Sequence, residues 1–169
     1  MTKQERWDKF NKDLNEKGLL GERTLAEYFS KNLNYKILGY NNDKLWDFTL
    51  GKGNVKYTFE VKTDRWEYFH DKKTNNIFVE VRDTERNCPT GLYATEANIM
   101  AFFFPDDEEC FLISTTELKN LLRNQPNLFI RKTNCGDGGS VTAYVINRVE
   151  NRHLFKVVNV PKDDRWTNK

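Results

Sequence analysis

Two short segments with a two-residue hydrophobic period constrain this chain most. Residues 46–50 read Trp-Asp-Phe-Thr-Leu and residues 57–62 read Tyr-Thr-Phe-Glu-Val-Lys, apolar and polar in alternation. A strand sends successive side chains to opposite faces. Trp46, Phe48 and Leu50 therefore share one face of a first strand, and Tyr57, Phe59 and Val61 share one face of a second. The other faces carry Asp47 and Thr49, then Thr58, Glu60 and Lys62. Gly51-Lys52-Gly53-Asn54 between them reads as a hairpin turn. Folding on that turn sets Asp47 across from Thr58 and diagonal to Glu60, about 7–8 Å apart at Cα. Two acids and a lysine on one face suit a divalent cation and phosphodiester chemistry. They also suit a solvated cross-strand ion-pair cluster, which typically contributes about 0–1 kcal/mol. At this level both readings stand.

A helical pattern upstream adds a third acid. Leu19, Glu22, Leu25, Ala26, Phe29 and Leu33 recur at spacings of three and four, one stripe of a helix running from Gly18 towards Leu33. Glu22 thus lies on the face that otherwise packs into the core, where a carboxylate is costly unless paired, protonated or bound to a metal. The bland alternative is a stripe-edge position that reaches solvent or an arginine. Glu27 points elsewhere on the helix and needs no explanation.

Asp47 followed by Glu60-Val61-Lys62 resembles the motif of the PD-(D/E)xK nuclease superfamily: an acid on one strand, then acid, apolar residue and lysine on the next. The proline usually written before the first acid is absent, and Trp46 stands in its place. The resemblance implies a restriction-endonuclease-like α/β core, a mixed central β-sheet flanked by helices, here spanning about residues 18–122. It implies Mg²⁺, with Mn²⁺ substituting, held by Asp47, Glu60 and the main-chain carbonyl of Val61. Lys62 would orient water or offset transition-state charge. Glu22 would complete the site, as a first-helix glutamate does in many of these nucleases, Holliday-junction resolvases among them.

Composition narrows the alternatives. At 169 residues the chain fits one domain, read as 1–161 with an extra hairpin near its C-terminal end and a polar tail at 162–169. Net charge is +2, so nucleic-acid binding must come from local patches. The longest apolar run, Ile-Met-Ala-Phe-Phe-Phe at 99–104, is too short to span a membrane and suits a buried central strand. No secretory signal opens the chain, and Cys88, Cys110 and Cys135 match neither a zinc cluster nor a disulfide framework. Those features point to a reducing cytoplasm. His70 and His153 lack a partner at metal-like spacing, and no phosphate-binding GxxxxGK[ST] loop is present.

The remaining pattern is a charged opening helix over 2–17 carrying Trp7, Phe10 and Leu14, with Gly18 and Gly21 punctuating the passage to the Glu22 helix. Strands follow at 34–40, 77–81, 99–104 and 110–113. Asp106 to Glu109 reads as a solvated acidic turn. Ser114 and Glu117 form a capping box for a short helix with Leu118, Leu121 and Leu122. A C-terminal hairpin is read from 128–131 and 141–146 around Cys-Gly-Asp-Gly-Gly at 135–139. Glu80 could join the acidic site or face solvent, and Asp64 reads as a solvated strand-end acid. Arg65, Lys72 and Lys73 should emerge beside the active face, with Trp66 or Tyr68 available to stack on a base. An ordinary solvated loop reads equally well there.

These readings lead to a metal-dependent deoxyribonuclease with DNA as partner, selecting shape, as in branched or single-stranded DNA, rather than sequence. A homodimer follows if it resolves junctions. The competitors are a non-catalytic nucleic-acid-binding protein and an inhibitor of a nuclease or defence system on the same fold.

Overall fold

The computed structural model describes residues 3–41, 45–64, 74–135 and 139–167, with α1 side chains described at 12 and from 16 onward. Among these, ten strands form two sheets. The central sheet is six-stranded and mixed, in the order β1 (Lys36–Tyr40), β2 (Phe48–Lys52), β3 (Val55–Thr63), β6 (Ile99–Phe104), β7 (Glu109–Ser114), β10 (Lys156–Asn159). All its pairs are antiparallel except β3 with β6. A parallel pair needs a crossover, and here the crossover builds a second, antiparallel sheet. That sheet has the order β5 (Cys88–Pro89), β4 (Asn76–Asp83), β9 (Val141–Asn147), β8 (Ile130–Cys135).

Alternation along β6 explains why its whole run is apolar. Ala101 and Phe103 face one core with Leu25, Ala26 and Phe29 of helix α1 (Lys3–Leu33), Phe48, Leu50, Phe59 and Val61. Met100, Phe102 and Phe104 face another core with Ile77, Val79 and Val81 of β4 and Leu118 and Leu122 of helix α2 (Thr115–Asn124). The central sheet is thus the middle of three layers. The mixed central sheet matches the expectation, but a second sheet shares the far face with α2 where a helix was expected. The expected C-terminal hairpin, β8 and β9, is part of that sheet.

Several local expectations need correction. Residues 3–33 form one continuous helix, so Gly18 and Gly21 do not divide it. Gly21 is a close-approach position: a Cβ there would come within 1.9 Å of Thr63 Oγ1. The acidic turn at 106–109 is a cation clamp. Arg148, only 3 % exposed, bonds Asp107 and Glu109 and lies 4.1 Å from the Phe104 ring centre, while Arg152 and Lys162 hold Glu109 and Asp106. The polar tail contains a short helix, α3 (Asp164–Thr167), that buries Trp166 to 2 % exposure. Its indole N–H donates to Thr24 Oγ1 at 3.1 Å. Ser114 caps α2 as expected, accepting from the Glu117 amide at 3.1 Å. No described helix is long and apolar enough to cross a membrane.

Candidate active site

The hairpin of β2 and β3 closes on a two-residue turn at Gly53-Asn54, with Lys52 paired to Val55. The four-residue turn read from sequence would have set Asp47 opposite Thr58. The tighter turn instead pairs Phe48 with Phe59 and Thr49 with Thr58. That pairing ends at Phe48, and Asp47 lies just beyond it, so the expected Asp47–Thr58 pairing does not form. The faces stand as read for Phe48, Leu50, Phe59 and Val61, buried against α1, but not for Trp46, whose indole turns to the opposite face and donates to Thr49 Oγ1 at 3.1 Å.

Asp47 lies just before β2, where the two strands separate. Its amide donates to the Phe59 carbonyl at 2.7 Å, and its Oδ2 accepts from the Val61 amide at 2.6 Å. A strand residue's N–H and C=O point to the same side, so the Val61 carbonyl also points towards the gap beside Asp47. Across that gap, Glu60 Oε1 accepts from Lys62 Nζ at 2.8 Å, and its Oε2 lies 3.3 Å from the Thr95 hydroxyl.

Glu22 joins them from α1. Gly21 lets the helix lie against the end of β3 at Thr63, and the next residue, half-buried, stands at the level of the acids. Burial, then the charges of Asp47 and Glu60, push the Glu22 carboxyl up to about 7 against weaker opposition from Lys62 and Arg23. The Asp47 carboxyl is pushed up to about 6, by burial first and Glu60 second, partly offset by the Val61 amide and Lys62. Burial alone would depress the Lys62 ammonium, but Glu60, Glu80 and Asp47 outweigh it and hold it above its ordinary value. Three carboxylates and one ammonium therefore feel one another. Glu27, by contrast, is exposed and pairs with Arg165 at 2.9 Å.

The donor set is oxygen only, which fits Mg²⁺ or Mn²⁺ and not a soft metal. Among the described residues no three His, Cys, Asp or Glu side chains form a ready-made cage. Two acids, a main-chain carbonyl and water suit an ion that keeps several waters. Crowded carboxylates whose protons bind too tightly are also what a divalent cation would relieve.

Two residues of this neighbourhood have little or no sequence signal. Thr95 is buried in a loop without periodicity; its hydroxyl donates to the Leu45 carbonyl at 2.8 Å and accepts from the Ala97 amide at 3.1 Å. It thereby touches the segment leading into Asp47 as well as Glu60. Glu80, left open by alternation, acts on Lys62 from the second sheet. It sits at a register shift in β4, a bulge of the kind that re-aims side chains. Gly91, at φ +50°, packs so closely there that a Cβ would lie 2.5 Å from the Glu80 carbonyl oxygen. Asp64 donates its amide to the Phe103 carbonyl at 2.8 Å. Arg65, Trp66, Tyr68, Lys72 and Lys73 lie outside the described residues. The three cysteines are free, and burial pushes the Cys110 thiol far above its ordinary value.

No family model matches the sequence, and no curated protein matches it. Among solved structures the chain is similar to a bacterial homing endonuclease, I-Ssp6803I, at 18% identity and a TM-score of 0.45. The likeness covers 60% of this chain and 68% of that one. At that level it leaves the reading of the site to the site's own residues.

Proposed function

We propose that this chain is a metal-dependent deoxyribonuclease of the PD-(D/E)xK type, hydrolysing phosphodiester bonds with Glu22, Asp47, Glu60 and Lys62. The observation that carries the reading is the convergence of Glu22, 25 residues before Asp47 and 38 before Glu60, on the hairpin acids. An ordinary surface ion-pair cluster has no need of a third, half-buried acid whose own carboxyl is raised by burial and by the charges of the first two.

Asp47, Glu60 and the Val61 carbonyl are the groups that would hold Mg²⁺, with Glu22 completing the set. When bound, the ion polarises a phosphoryl oxygen and makes a water more acidic. The chain's own groups do the rest. The Lys62 ammonium, fixed beside Glu60, orients the attacking water and offsets the charge that grows on phosphorus oxygens. The Val61 amide fixes the Asp47 carboxylate, so the acid does not reorganise when substrate arrives.

Purified protein incubated with circular, linear, single-stranded and branched DNA tests this. Cleavage is expected with Mg²⁺ or Mn²⁺, binding without much cutting in Ca²⁺, and none in chelator. Asp47→Asn, Glu60→Gln and Lys62→Ala should each abolish turnover while leaving the protein folded. If all three variants cut at the wild-type rate, the hairpin is only an ion-pair cluster. The absence of a recognisable sequence-reading motif in the chain favours selection by DNA shape, and cutting of paired strands at a junction would require a symmetric dimer. Confinement of cleavage to one short duplex sequence would remove the shape preference and leave the nuclease reading standing.

A further inference from the structure

The face that carries Asp47, Glu60 and Lys62 continues past the carboxylates. Lys36 pairs with Gly51, and Gly51 with Lys56; Gly39 pairs with Thr49, and Thr49 with Thr58. Cross-strand partners share a face, so both rows lie on the same surface as the acids. The second sheet covers the central one over β6 and β7, and no described residue of β1, β2 or β3 enters the core it forms. Among the described residues, the face of β1–β3 is therefore left open beside the site.

Its floor is small and polar: Gly39, Thr49, Gly51 and Thr58. A register shift between Ile37 and Gly39 turns Leu38 out over Gly51, and Leu38 remains 44% exposed. Nearer the acids, the half-buried Trp46 lays its indole on this floor, donating to Thr49 Oγ1 at 3.1 Å. At the far end lies a concavity of about 550 Å³ whose lining includes Lys36, Lys52 and Lys56 and no acid. Lys52 is already engaged, donating to the Leu33 carbonyl at 3.2 Å with its ammonium 4.9 Å from the Tyr35 ring centre. Lys36 and Lys56 are exposed.

We propose that the open face of β1–β3 is the track on which DNA lies, with Lys36 and Lys56 holding backbone phosphates to one side of the scissile bond. The proposal rests on the nuclease reading and adds where the substrate runs. Lys56 is four strand residues from Glu60, about 13 Å at roughly 3.3 Å per residue. Lys36, two strands over, lies about 10 Å to the side of Lys56. Leu38 and Trp46, seated on the small residues between these cations and the acids, offer apolar surface for a base or sugar. The charge order, two lysines at the far end and carboxylates at the near end, is complementary to a polyanion that must meet a cation only at the site of cutting.

The test is binding of a fluorescent DNA duplex of about 20 base pairs in Ca²⁺ across a salt series. The Lys36→Ala plus Lys56→Ala variant should bind roughly tenfold more weakly at moderate salt, with the slope of log K against log salt reduced by about 2. The Lys36→Arg plus Lys56→Arg variant should keep most of the affinity. Lys119→Ala plus Lys156→Ala, on α2 and on the opposite edge strand β10, should match wild type. Mn²⁺ binding by calorimetry should be equal in all of them. Wild-type protein that binds and cuts DNA while the double alanine variant keeps its affinity and slope would overturn the track alone. Wild-type protein that binds neither DNA nor Mn²⁺ would overturn the nuclease reading and the track together.

Discussion

At the scale of single residues, the site depends on which carboxylates feel one another. Glu22 and Glu27 sit five positions apart on one helix, yet Glu22 is raised by burial and by Asp47 and Glu60, while Glu27 pairs with Arg165. Glu22→Gln should weaken Mn²⁺ binding or cleavage several-fold or more, and Glu27→Gln should do neither; equal effects in a titration calorimeter would show that the helix contributes no ligand. Thr95 offers a finer test, because its hydroxyl ties the Leu45 carbonyl and approaches Glu60. Thr95→Val removes only that hydroxyl; the Leu45 carbonyl keeps the Glu96 amide at 2.9 Å, but the Ala97 amide loses its acceptor, a loss of about 1–3 kcal/mol. Its expected signature is a higher metal concentration for half-maximal cleavage, restored by Thr95→Ser. A fall in stability with unchanged metal dependence would reduce Thr95 to a packing residue.

At the scale of elements, α1 is placed by what it lacks. Gly21 brings the helix backbone onto β3, and a methyl group there would overlap Thr63 Oγ1 at 1.9 Å, with the rest of that side chain at 3.1–3.3 Å. One other Thr63 rotamer would put its methyl where the oxygen now lies, and the remaining one still leaves the Thr63 Cβ at 3.1 Å, tighter than ordinary contact. Gly21→Ala gains about 1 kcal/mol of helix propensity but forces overpacking that typically costs about 1–3 kcal/mol. A net loss in denaturant stability is expected, together with loss of cleavage as Glu22 moves off. Unchanged stability and activity would mean that the helix approaches β3 less closely.

For the whole molecule, the raised carboxyls predict an inverted pH dependence. Glu22 rises from 4.5 to about 7 and Asp47 from 3.8 to about 6. Between pH about 4 and 7 the folded protein binds more protons than the unfolded chain. The stability these groups contribute is therefore present at low pH and lost as pH rises through their folded values. Without metal, their contribution should fall by about 1–3 kcal/mol from pH 5 to pH 8, a drop of several degrees in Tm. Mn²⁺ should restore most of it at pH 8 and little at pH 5, because metal competes with those protons. Chelated protein showing no such difference by calorimetry, or the same one in a Glu22→Gln plus Asp47→Asn variant, would place the charge elsewhere. Asp163, lowered chiefly by its hydrogen bond to Arg165, acts in the opposite sense but only in the more acid range.

Alternation alone determined the hairpin, its buried face, and the side on which Asp47, Glu60 and Lys62 project, because a strand's period of two leaves no other choice once Phe48, Leu50, Phe59 and Val61 are buried. Helical spacing likewise marked Glu22, since a carboxylate among Leu25, Ala26 and Phe29 stands out at that period. The register was decided by turn geometry that the sequence leaves degenerate: Gly51 to Asn54 can close as four residues or two, and only the folded hairpin pairs Phe48 with Phe59. The pairing of β4 with β9, the docking of Trp166 on Thr24 and the meeting of Thr95 with Glu60 all join residues at least thirty-five positions apart. Such contacts carry no local period. They follow from which apolar faces remain uncovered after the helices and hairpins have formed, and that is settled only when the layers pack.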